Sequence, residues 1–84
     1  MQSMVNRMPT KQIEGYRFRF YSSDRFEPPH VHVLRDAKVA KIWLNPVSLQ
    51  YNRGYHSTEL NNVLRLTREH QAELLELWYE YFSR

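Results

Sequence analysis

Polar and apolar residues alternate with a period of two through the first half of the chain, then recur at spacings of three and four through the last third. The clearest alternation is residues 16–21. It places Tyr16, Phe18 and Phe20 on one face and Arg17, Arg19 and Tyr21 on the other, the signature of a half-buried strand. Residues 30–34 and 38–44 repeat it, the latter with Ala40, Ile42 and Leu44 opposite Val39, Lys41 and Trp43. Ser22-Ser23-Asp24-Arg25 and Arg35-Asp36-Ala37 are turn sequences between these strands. Asn45-Pro46 ends the third strand, and residues 47–51 add a short fourth before Asn52-Arg53-Gly54 breaks it.

From residue 57 the period changes. Ser57 is placed to cap a helix, and Glu59 falls in its first turn, where the helix dipole favours an anion. Leu60, Val63, Leu64, Thr67, Gln71, Leu74, Trp78, Tyr81 and Phe82 form the apolar stripe, which weakens between Thr67 and Gln71. One unbroken helix over 58–82 would be about 37 Å long, more than so small a domain can cover, so a bend or break is expected there. The resulting fold class is α+β: a three- or four-stranded, mostly antiparallel sheet, with one bent or two C-terminal helices packed on one face. Its core is expected to hold Tyr16, Phe18, Phe20, Val31, Val33, Ala40, Ile42, Leu60, Leu64, Leu74 and Trp78.

The 84 residues make one domain, read as a flexible extension over 1–7 and a compact unit over 8–84, with Met1 or Met8 as its start. The absence of cysteine excludes disulfides and thiolate metal sites, and suits the cytoplasm. No apolar run is long enough for a signal peptide or membrane helix, so no membrane partner is expected. Charge is uneven. Residues 1–58 carry nine Lys/Arg against four Asp/Glu, and residues 59–84 carry three against five, within a net charge of +3. The basic front half suits a phosphate backbone or an acidic partner.

The densest chemistry lies in Glu27-Pro28-Pro29-His30-Val31-His32-Val33. Two prolines keep the backbone extended. Alternation then puts both imidazoles on one strand face, with Cα atoms about 6.6 Å apart. This run, with Met8-Pro9-Thr10, Gly15-Tyr16, Trp43-Leu44-Asn45-Pro46-Val47, Gly54-Tyr55, Glu59-Leu60 and Leu77-Trp78-Tyr79-Glu80-Tyr81-Phe82, resembles the small prokaryotic domain-of-unknown-function family numbered 4160. The resemblance covers almost the whole chain after residue 7. It implies a compact protein often encoded beside a second small protein, in a layout suggestive of toxin–antitoxin pairs. It implies no reaction.

The residues themselves supply one. If the strands pair in order, the outer sheet face gathers Arg17, Arg19, His30, His32 and Lys41, with Tyr21 and Trp43 beside them. Cleavage of an RNA phosphodiester needs a base, an acid and cations for the developing charge, with rings to stack a base. Joined to the two-protein layout that the resemblance implies, this chemistry gives the expected function: a toxin-like member of such a module, a ribonuclease that needs no metal or other cofactor. His30 and His32 are its catalytic pair; Arg17, Arg19, Lys41 and Trp43 hold the substrate. A metal, if one were bound, would take His30 and His32 with a third ligand from His56, Glu27 or Asp24, against repulsion from Arg17 and Arg19. The alternative is a non-catalytic binding module, an antitoxin or adaptor. It would dock a cognate small partner protein, or a second copy of itself, through C-terminal aromatics such as Tyr79 and Tyr81.

Overall fold

The computed structural model describes residues 9–82. Five strands come first: β1 (Thr10–Ile13), β2 (Tyr16–Arg19), β3 (His30–Arg35), β4 (Lys38–Leu44) and β5 (Val47–Arg53). They form one antiparallel sheet in the order β1-β2-β3-β4-β5, a meander in which each strand pairs with its sequence neighbour. A 3-10 turn, Ser22–Phe26, interrupts the path from β2 to β3. Two helices follow, α1 (Ser57–Glu69) and α2 (Gln71–Phe82).

The α+β class holds, but the sheet has five strands rather than three or four. The additional strand is β1, whose residues Thr10, Lys11 and Gln12 show no apolar alternation. It forms because Glu14 and Gly15, at φ 52° and 86°, make a two-residue turn whose twist suits a hairpin. Pairing then runs from Thr10↔Arg19 to Ile13↔Tyr16. The expected extension over 1–7 lies outside the described residues.

Both helices cover the same sheet face. The buried cluster on that side joins Tyr16, Phe18, Phe20, Val31, Val33, Ala40, Ile42, Leu74 and Trp78, with Leu60 and Leu64 packed against it as partly buried neighbours. Ile13, Leu44, Tyr55, Val63 and Leu66 complete it. The helical stretch breaks at His70, inside the weak part of the stripe. Thr67, fully buried, turns its hydroxyl back to the Val63 carbonyl at 2.8 Å, and Gln71 donates to the Leu44 carbonyl at 2.7 Å, fixing the break against β4. Helix α1 starts one residue earlier than expected: His56 is its N-cap and Ser57 its first helical residue, with Leu60 N–H bonded to the His56 carbonyl. At the close of β5, Gly54 takes φ 102°, and a Cβ there would stand 2.9 Å from Lys38 Cγ.

The α1 start is tied to the sheet through Glu59. Its carboxylate accepts from Tyr16 Oη and Lys38 Nζ, both at 2.8 Å, with Arg35 3.7 Å away. The Lys38 bond first, and the Tyr16 bond second, hold Glu59 below the ordinary carboxylate range. Burial, with the nearby Tyr16 and Glu59, pushes the Tyr55 hydroxyl up to about 12, and it donates to the Val33 carbonyl at 2.9 Å.

Candidate functional site

Antiparallel pairing puts directly opposed residues on the same face of a sheet. Arg19 pairs with His32, His32 with Lys41, and Lys41 with Tyr51. One row therefore crosses four strands on the face away from the helices. Thr10 extends it to β1, where its hydroxyl accepts from Arg19 Nε at 3.1 Å. A parallel row carries Gln12, Arg17, Leu34, Val39 and Arg53. Arg17, Arg19 and Lys41 thus share this face with His32, as the alternation predicts. Strand β5, which runs on to Arg53 through the expected break at Asn52-Arg53, adds Tyr51 and Arg53, which sequence reasoning left out of the site.

Tyr21 sets its ring edge-on to His32 at 4.7 Å, and the Lys41 ammonium lies 5.2 Å from the centre of the Trp43 ring. Lys41 Nζ also donates to Glu27 Oε1 at 2.7 Å, and this bond is the main cause that lowers the Glu27 pKa.

His30 behaves differently from His32. The last β2–β3 pair is Arg19↔His32, so no β2 residue lies beside His30. Other groups close around it instead. Trp43 and Trp78 stand with ring centres at 5.5 and 5.2 Å, and the 3-10 turn brings Asp24 against it. The result is 0% exposure for His30. The two imidazoles share a strand and meet at 5.3 Å between centres, yet only His32 keeps access to the open face. The two rings share one strand face, as the alternation predicts, but His30 is sealed and only His32 borders the open side.

Asp24 is the third member of this corner. It is buried, and its Oδ2 accepts from the Tyr21 backbone N–H at 2.9 Å, which anchors the 3-10 turn. The same oxygen lies 3.2 Å from His30 Nε2 and 3.8 Å from His32 Nδ1. Both ring nitrogens are buried and lack a hydrogen-bond partner among the described residues. Burial outweighs the attraction of Asp24 and lowers the His32 pKa. Among the possible third ligands named from sequence, the fold brings Asp24. Glu27 reaches only 3.7 Å from His30 Nδ1 and is engaged by Lys41. His56 caps α1 and lines a surface hollow with Glu59, Asn62 and Arg65. The signal for Asp24 was its place in a turn six positions before His30, but nothing in the sequence says that the turn folds inward.

Of the C-terminal aromatics, Tyr79 is 57% exposed, whereas Tyr81 is partly buried and packs on Phe82 with ring centres 4.7 Å apart. Phe26, at the end of the 3-10 turn, is 91% exposed.

Fold and site define a small α+β domain with helices on one face of a meander sheet and a histidine-bearing basic surface on the other. The chain belongs to the domain-of-unknown-function family DUF4160, whose model matches residues 15–79. No curated protein and no solved structure matches it. No helix among the described residues is long and apolar enough to cross a membrane.

Proposed function

We propose that the open sheet face grips the backbone of single-stranded RNA, and that the chain is the toxin-like, RNA-directed member of a small two-protein module. One observation carries the RNA reading: Arg19, His32 and Lys41 stand in direct register on three adjacent strands. A row of two cations around an imidazole matches the charge of a phosphodiester, and phosphate contacts position a strand without reading its sequence. Arg17 and Arg53 extend the basic surface along the neighbouring row. Tyr21 beside His32 and Tyr51 opposite Lys41 supply rings for stacking. Lys41 is held by Glu27, so an incoming phosphate exchanges with that carboxylate. The two-protein context rests on the family resemblance.

If the face also cleaves, the 2′-oxygen attacks phosphorus, the bond to the 5′-oxygen breaks, and a proton leaves the first oxygen while another reaches the second. His32 is the imidazole of the pair open to such a substrate, and Arg19 and Lys41 flank the charge that builds on phosphorus. His30, sealed behind it, is a positioning residue.

A second reading has its own support in the exposed ring of Tyr79, which suits docking of a partner protein. Induced expression of the chain alone, with and without its neighbouring gene, separates the two. Growth arrest and RNA loss should vanish in Arg19→Ala and His32→Ala variants that fold normally by circular dichroism. Arrest that survives both and disappears in Tyr79→Ala would transfer the function to the helix.

A further inference from the structure

The corner formed by Asp24, His30 and His32 has the composition and the unmet bonding of a divalent metal site. One ligand atom from each lies within 4.8 Å of the others. Around zinc, with bonds of about 2.0–2.2 Å, neighbouring ligand atoms in a tetrahedral shell stand about 3.3 Å apart. The separations from Asp24 Oδ2 are 3.2 Å to His30 Nε2 and 3.8 Å to His32 Nδ1, close to that spacing, and the two ring nitrogens lie within 4.8 Å of each other.

The hydrogen-bond geometry points the same way. His30 Nδ1 lies 3.0 Å from the Pro28 carbonyl oxygen, which can only accept. That nitrogen therefore donates to the carbonyl, and Nε2 is the ring atom left to face the Asp24 carboxylate oxygen. A buried ring nitrogen and a carboxylate oxygen held this close need something positive between them, a proton or a metal ion. Ligating histidines commonly show this arrangement: one ring nitrogen donates to a carbonyl and so orients the other toward an ion. His30 is fully buried, and both inward nitrogens lack a partner among the described residues. Lys41 and Arg19, which flank His32 in the sheet, bond to Glu27 and Thr10.

We propose that Asp24 Oδ2, His30 Nε2 and His32 Nδ1 bind one divalent transition-metal ion. Two imidazoles and one carboxylate suit zinc and the neighbouring first-row metals, and three protein ligands leave a position for water or a ligand oxygen. The Asp24 and His32 side chains keep 9% and 12% exposure, so the ion is reached from the open face. This site stands independently of the RNA reading and modifies it. With Nδ1 on a metal, the His32 proton sits on Nε2, and the loaded form presents a donor to the face rather than a base.

The test uses the full chain purified without a histidine tag. Titration with Zn²⁺ and Co²⁺ should show one ion per chain and a chelator-reversible rise in Tm. The Co²⁺ form should show visible absorption bands of a nitrogen–oxygen site. Asp24→Asn, which leaves an oxygen available to the turn, should weaken binding by more than the ~10–100-fold that loss of an outer-shell partner costs. His32→Ala should do the same. Binding unchanged in both variants, or no binding by the wild-type chain, would overturn the proposal. Should a variant fold poorly, the wild-type Co²⁺ spectrum decides: bands of a fully hydrated ion would refute the site.

Discussion

Asp24 Oδ2 lies 3.2 Å from His30 Nε2 while accepting the Tyr21 backbone N–H at 2.9 Å. One oxygen thus anchors the 3-10 turn and faces a fully buried imidazole. Removing it leaves the N–H without its acceptor and an open space beside the ring. Loss of a cap costs about 1 kcal/mol, and a buried polar group left unmet costs about 1–3 kcal/mol. Asp24→Ala is therefore expected to lose about 2–4 kcal/mol of stability in metal-free urea denaturation, and Asp24→Asn clearly less. Equal losses would show that the carboxyl group fills space and does no more.

The two histidines should separate in the same experiment. His30 is enclosed by Trp43, Trp78 and His32, so His30→Ala opens a cavity, and large-to-small core changes cost about 2–5 kcal/mol. His32 borders the open face, and its alanine variant should lose about 1 kcal/mol or less. Similar values for the two variants would contradict the enclosure of His30.

Period-two alternation tells which side of a strand a residue occupies, and so Tyr16, Phe18, Phe20, Val31, Val33, Ala40 and Ile42 were legible as core from their spacing alone. The break between the helices was legible too, from polar Thr67 and Gln71 in an apolar stripe. Alternation does not tell what lies beyond a strand's end. His30 follows the same pattern as His32, and its burial depends on β2 stopping at Arg19 and on the inward fold of Ser22–Phe26. Strand β1 was illegible for a related reason. At a sheet edge its outer positions meet water, and its inner Lys11 is satisfied by Glu73 at 2.8 Å instead of by apolar packing.

Acid sensitivity should trace in part to Glu59. Lys38 and Tyr16 hold its folded pKa below the ordinary value, so the folded state favours the ionised form. This contribution is present above the unfolded carboxylate pKa, about 4.3, and is lost as pH falls through the lower folded value. Glu59→Gln is expected to be less stable than the wild-type chain at pH 7, and the gap should narrow as pH drops below about 4. A gap that stays constant down to pH 2.5 would assign the difference to packing.

The basic sheet face is tested most directly by fluorescence anisotropy with a labelled single-stranded RNA, titrated at several salt concentrations. For single strands the slope of log affinity against log salt is about −0.7 for each phosphate neutralised. Arg19→Ala and Lys41→Ala should each weaken binding and reduce the slope by about 0.7, whatever the RNA sequence, while Tyr79→Ala leaves both unchanged. Wild-type affinity and slope in the Arg19→Ala, Lys41→Ala double variant would contradict an RNA seat on this face.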